Sequence, residues 1–117
     1  MVNCVLEFNK SFRVGDKKRE LYMTLIEEEF NEWLEEAYAT KKAPDKELKE
    51  LCDLLYVIFG YSIQRGWDIV TAFNRVHSSN MSKLDSEGRP IFNDAGKVCK
   101  GPNYKIPNLK DLVDERS

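Results

Sequence analysis

The chain has 117 residues, enough for one domain with a modest core. An apolar fraction of 42% and a charged fraction of 32% exclude a disordered chain, and no apolar run approaches the roughly 20 residues that span a bilayer. The formal net charge of −2 excludes a global basic field of the kind that attracts nucleic acid or an anionic membrane, so neither is expected as a partner.

The first predicted element runs from Val2 to Phe12, a short helix with Val5, Leu6, Phe8 and Phe12 as its apolar positions. This stretch lacks the basic and apolar regions of a signal peptide, so a cytoplasmic location is expected. Gly15-Asp16 stops the helix, and Asp16 is placed to cap the next. The second helix is predicted from about Lys17 to about Lys41, with Leu21, Leu25, Ile26, Trp33 and Ala37 at helical spacing and Lys41 and Lys42 suiting its C-terminal dipole. Pro44 pushes Ala43 out of the helical region, and Asp45 is placed to cap a third helix from about Lys46 to Arg65. Gly66 ends that helix, and Asp68 caps a fourth in which Ile69, Ala72, Phe73 and Val76 follow the i, i+3, i+4, i+7 rule up to about Asn80. From Ser82 onward Gly88-Arg89-Pro90, Ala95-Gly96, Gly101-Pro102 and Ile106-Pro107 signal turns. Short extended pieces are expected at Pro90-Ile91-Phe92 and Lys97-Val98-Cys99, and a helical turn over Asp111 to Glu115. With no internal repeat or linker in view, the reading is all-α: one domain over 1–117, a helical core over about 2–81 and a basic, irregular C-terminal arm over about 82–117.

The acids lie where a core should be. On a wheel of about 100° per residue centred on Leu25, Leu21, Glu29, Glu32 and Glu36 fall within about 40° of it. With Leu54 at the centre of the third helix, Glu50 falls about 40° away and Asp53 about 100° away, at the edge of the sector. Ionised carboxylates on an apolar stripe lose several kcal/mol of solvation each, by rough estimate, and repel one another. Either protons or a hard divalent cation must compensate them. Glu29 and Glu32 share i, i+3 spacing, as do Glu50 and Asp53, so two antiparallel helices can aim four carboxylates at one point. Cys4, Cys52 and Cys99 form no Cys-x-x-Cys pair, which argues for reduced thiols and against zinc. A ferritin-like di-iron site is excluded as well, because it needs Glu-x-x-His and the residue three before His77 is Asn74.

Glu28-Glu29-Phe30-Asn31-Glu32 and Glu50-Leu51-Cys52-Asp53 together resemble the EExxE…ExxD signature of the all-α NTP pyrophosphatase superfamily. That superfamily includes MazG-like enzymes, the phosphoribosyl-ATP pyrophosphohydrolase domain and dimeric dUTPases. Val76 to Leu84 and Gly96 to Pro102, followed by Tyr104 and Pro107, look like the short, often phage-associated, MazG-like members. Asn9 departs from them, standing where several carry a histidine. The resemblance implies a MazG-like four-helix bundle with an irregular C-terminal arm, assembled as a homodimer or homotetramer. It implies Mg²⁺, with Mn²⁺ as a substitute, held by Glu29, Glu32, Glu50 and Asp53. It also implies hydrolysis of a nucleoside triphosphate between its α- and β-phosphates to NMP and pyrophosphate, a reaction that serves to clean the nucleotide pool. Glu28 would support the metal ligands from behind or orient the attacking water, and Asn80 and Lys83 would contact substrate. Apart from the resemblance, Lys97 and Lys100 are placed to add positive charge near the phosphates, and Phe8, Phe12, Trp33 and Tyr104 are candidates to stack on the base, Trp33 first because it adjoins Glu32. Two alternatives stay open: a member specific for dUTP, dCTP or phosphoribosyl-ATP, and a metal-stabilised helical oligomerisation or regulatory module without catalysis.

Overall fold

The structure is a computed structural model, and it describes residues 1–15 and 18–113. Four α-helices follow in chain order: α1, Val2–Ser11; α2, Arg19–Ala37; α3, Pro44–Gln64; and α4, Ile69–Met81, with a 3-10 turn at Lys110–Leu112. The described residues form no strand beyond a single antiparallel bridge between Phe92 and Val98. The fold is all-α, as the periodicity of the apolar residues leads one to expect. Among the described residues no helix is long and apolar enough to cross a membrane. The chain divides into two compact units, Met1–Trp67 and Asp68–Ser117.

The first unit is built on α2 and α3. Lys18 donates its backbone N–H to Gln64 Oε1 at 3.3 Å, and Trp33 Nε1 donates to Glu47 Oε2 at 3.3 Å. The start of one helix therefore meets the end of the other, so they run antiparallel. α1 lies against α3, where the rings of Phe8 and Tyr56 meet edge to face at 5.6 Å and the Tyr56 hydroxyl donates to the Cys4 carbonyl at 3.5 Å. Among the described residues, Val5 and Tyr22 are the buried apolar side chains. Gly60 lets α3 approach the Tyr22 ring, since a Cβ on Gly60 would lie 2.8 Å from Tyr22 Cζ and 2.9 Å from Cδ1.

The helix ends differ from expectation in instructive ways. α1 is stopped by Arg13, at φ 53°, rather than by Gly15. Val14 N–H bonds back to the Asn9 carbonyl at 2.8 Å and Arg13 N–H to that of Lys10 at 3.3 Å, a Schellman ending with arginine in the left-handed position. α2 ends at Ala37, short of Lys41, yet Lys42 Nζ reaches back to the Ala37 carbonyl at 2.7 Å and still serves the helix end. Pro44 opens α3 instead of preceding it, and Ala43, not Asp45, stands at the N-cap. The fixed φ of proline suits the first helical turn, where its missing N–H costs nothing. Gly66, at φ 71°, closes α3 as read, with Trp67 N–H bonding to the Ser62 carbonyl and Gly66 N–H to that of Ile63. The expected cap at Asp16 and the start of α2 at Lys17 fall outside the described residues, as does Glu115.

In the second unit Asp68 caps α4 as expected, accepting from Thr71 N–H at 3.1 Å and from the Thr71 hydroxyl at 2.7 Å. The arm is tied to α4 at separate points. Ser79 Oγ donates to the Lys105 carbonyl, and Lys105 N–H donates to Ser82 Oγ. Arg75 forms a fork with Asp111 at 2.6 and 3.1 Å and also donates to the Asn108 carbonyl. At Gly101 a Cβ would lie within 2.6 Å of the carbonyl oxygens of Lys83 and Leu84, so only glycine fits there. Between these ties the arm uses one turn twice. Asp85 Oδ1 accepts from Glu87 and Arg89 N–H, and Asn93 Oδ1 accepts from Ala95 and Lys97 N–H. In each turn the fourth residue is a glycine with positive φ, Gly88 at 77° and Gly96 at 80°.

Candidate active site

Spacing of three residues sets Glu29 beside Glu32 on α2, and the antiparallel pairing of α2 with α3 brings Glu50 to them. One carboxylate oxygen from each of these three residues lies within 4.8 Å of the others. Glu29 Oε2 and Glu50 Oε2 are buried and have no hydrogen-bond partner. Burial first, then the charge of Glu32 and a hydrogen bond shared with it, then Asp53 and Glu50, push the Glu29 carboxyl up to about 7. Burial also raises that of Glu50, against the opposing pull of the Lys49 ammonium.

The fourth acid is placed differently. Asp53 Oδ2 accepts from Lys49 Nζ at 2.6 Å, and the same ammonium lies 3.7 Å from Glu50 Oε1. The structure thus gathers Glu29, Glu32 and Glu50 into one cluster and gives Asp53 a cationic neighbour one helical turn back. Lys49 went unread at the sequence level, although its i, i+4 relation to Asp53 is a visible signal. Three converging carboxylates with two orphaned buried oxygens suit a hard divalent cation, which would satisfy those oxygens and relieve the repulsion that raises Glu29.

Glu29 and Asp53 also line a cavity of about 290 Å³. Phe8, Asn9, Tyr22 and Tyr56 form part of its wall, and the rest of the lining is aliphatic. Asn9 is 8% exposed. Its Oδ1 accepts from the Tyr22 hydroxyl at 3.4 Å, while its Nδ2 has no partner. Burial pushes the Tyr22 phenol up, so that hydroxyl stays protonated and able to donate. An amide N–H left unpaired in such a place costs about 1–3 kcal/mol. Nothing in the linear sequence marks this pair, because the two residues meet only once α1 and α2 are packed.

The sequence profile of the phosphoribosyl-ATP pyrophosphohydrolase family matches residues 9–80, well over half of the chain. The chain belongs to this family. Both acid pairs fall inside the matched span, and the members of the phosphoribosyl-ATP pyrophosphohydrolase family are hydrolases that act on acid anhydrides. No curated protein matches the chain in sequence.

The remaining residues singled out from the sequence spread over both units of this family member. Glu28 is exposed on α2. Glu36, one turn beyond Glu32, is not part of the carboxylate cluster. Trp33 is half-buried and spends its indole N–H on Glu47, with its ring 6.0 Å from that of Phe30. In the second unit Asn80 is exposed near the end of α4, and Lys83 is half-buried just past it. Lys97 is exposed in the second of the two turns, and Lys100 places its ammonium 4.9 Å from the centre of the Tyr104 ring.

Proposed function

We propose that this family member is a Mg²⁺-dependent nucleoside triphosphate pyrophosphohydrolase, with Mn²⁺ as a substitute, that splits the α–β anhydride of ordinary or damaged (d)NTPs. The observation that carries this reading is the convergence of Glu29, Glu32 and Glu50 from two helices, with two buried oxygens left unpartnered. Glu29, Glu32 and Glu50 would hold the cation, with Asp53 as the fourth ligand once Lys49 gives way. Bound there, the cation would supply positive charge and Lewis acidity facing the phosphate chain. The protein's own groups supply the rest. Glu28 orients the water that attacks the anhydride, so that NMP and pyrophosphate leave as separate products. Asn80 and Lys83, three residues apart, contact phosphate, and Lys97 and Lys100 contribute positive charge. The assembly is a homodimer or homotetramer, a reading supported by the large apolar side chains that α1, α2 and α3 leave exposed.

A second reading follows from the family match, which favours phosphoribosyl-ATP as the substrate. The deciding experiment measures pyrophosphate release from a panel of NTPs, dNTPs and phosphoribosyl-ATP, with and without Mg²⁺, by the wild type and Glu50→Gln. Metal-dependent NMP formation, lost in a folded Glu50→Gln protein, is the expected result. Turnover of phosphoribosyl-ATP alone would install the second reading. Absence of turnover at every divalent-ion concentration would leave a metal-stabilised helical module instead.

A further inference from the structure

We propose that Lys49 competes with the divalent cation for Asp53 and Glu50, and thereby sets the cation concentration at which the carboxylate site fills. This inference rests on the reading of that cluster as a metal site.

Three observations lead to it. Lys49 Nζ lies 2.6 Å from Asp53 Oδ2 and 3.7 Å from Glu50 Oε1, and among the described residues no other basic side chain pairs with Glu29, Glu32, Glu50 or Asp53. The Lys49 side chain is 67% exposed, against 35% for Asp53 and 17% for Glu50, so it meets the acids from the solvent side. The oxygens buried without a hydrogen-bond partner are Glu29 Oε2 and Glu50 Oε2, and the ammonium bonds to neither. Lys49 thus neutralises the outer acids and leaves the inner oxygens to another ion.

Helical spacing accounts for the contact. Asp53, four residues on, lies about 40° around α3 from Lys49, and Glu50 about 100°. The stem therefore stands beside Asp53, and the ammonium leans across towards Glu50. Two cations that share these carboxylates repel one another, and either response weakens cation binding. The ammonium stays and opposes the newcomer, or it leaves and its ion pairs are lost. Leaving is easy for this residue. Lysine carries a compact, strongly hydrated charge on a flexible stem, and an exposed one regains water and rotamer freedom as it swings out. The same charge also helps the protein when no cation is bound, because it offsets acids that repel each other; the pair is exposed, so this help is modest. One side chain then has two effects of opposite sign. It steadies the cluster without the cation and resists the cation's arrival. A lysine with a structural role alone would show the first effect and not the second.

The test is a titration of the intact protein with Mn²⁺, the free ion read by its electron paramagnetic resonance signal, with melting in chelator measured alongside. Lys49→Met should bind Mn²⁺ about three- to tenfold more tightly than the wild type. It should also melt lower in chelator at pH 8. Lys49→Arg keeps the charge and should stay near the wild type on both counts. The gain in Lys49→Met should shrink at high ionic strength, where screening weakens charge effects and leaves packing as it was. Lys49→Gln repeats the measurement if the methionine variant does not fold. An affinity in Lys49→Met equal to or below that of the wild type, or the same gain in Lys49→Arg, overturns the proposal. Glu50→Gln separates that failure from failure of the metal-site reading. Binding that is lost in Glu50→Gln but unmoved by Lys49→Met sinks the role of Lys49 and leaves the site standing. Mn²⁺ bound no better by the wild type than by Glu50→Gln sinks both.

Discussion

Arg13 holds a conformation that side chains with a Cβ adopt at a cost, φ 53°, and does so to finish α1 two residues before a glycine. The left-handed region costs a non-glycine residue about 1–2 kcal/mol, part of which is returned as extra chain entropy when glycine is introduced. Arg13→Gly should therefore raise stability by about 0.5–1 kcal/mol, read as a higher urea midpoint at unchanged m-value. Gly60→Ala should act in the other direction. Its methyl would enter the space of the Tyr22 ring, costing about 1–3 kcal/mol and pulling the Tyr22 hydroxyl from Asn9. Thermal melts of the two variants against the wild type check both signs. Single residues were legible in the sequence where their chemistry is local: Gly66 and Asp68 do what their neighbours ask of them. Arg13 was not, because a left-handed arginine has no compositional mark and Gly15 nearby offered a more conventional stop.

At the level of the elements, α2 and α3 carry acids that the fold itself makes reluctant to ionise. The Glu29 carboxyl, at about 7, takes up a proton in the native state that the unfolded chain, at its ordinary 4.5, releases. Between those two values the native state binds more protons, so the metal-free protein should lose stability as pH rises from 4.5 through about 7. Asp68 and Asp111 have the opposite sign. Hydrogen bonds from Thr71 and the Arg75 guanidinium, respectively, hold their carboxyls below the ordinary 3.8, and the stability they add is lost as pH falls below that value. Melting in chelator across pH 3 to 8 should thus show a maximum on the acid side of neutrality. Glu29→Gln should flatten its upper limb, and added Mg²⁺ should restore stability at pH 8 in the wild type but less in Glu50→Gln. Periodicity alone was sufficient to place Glu29, Glu32 and Glu50 together, because the i, i+3 spacing and the antiparallel hairpin are both written in the sequence. It placed Asp53 at the edge of its sector, and the structure finds there the acid that Lys49 holds most tightly, at 2.6 Å against 3.7 Å for Glu50. The doubled turn of the arm, Asp85 to Arg89 and Asn93 to Lys97, passed unread as a repeat even though acceptor, glycine and base recur at the same intervals.

Among the described residues, more large apolar side chains are exposed than buried. Val5 and Tyr22 are buried, whereas Leu21 is 52% exposed, Leu48 62% and Phe12 69%. Helical spacing singled out Phe12 and Leu21 as apolar positions, though not Leu48, and carried no information on what covers them, because periodicity shows which way a side chain faces and not what it meets. If copies of the chain cover one another, the melting temperature should climb with protein concentration over a hundredfold range, while a monomer would melt at one temperature throughout. The same imbalance bears on how the gene tolerates change. A lone chain would accept polar replacements at Leu21 or Leu48 almost freely, since little is sealed behind them, whereas Val5, Tyr22, Gly60 and Gly101 would resist. A comprehensive map of viable substitutions therefore doubles as a map of hidden contact: every exposed leucine that refuses a serine marks surface that the working protein keeps dry.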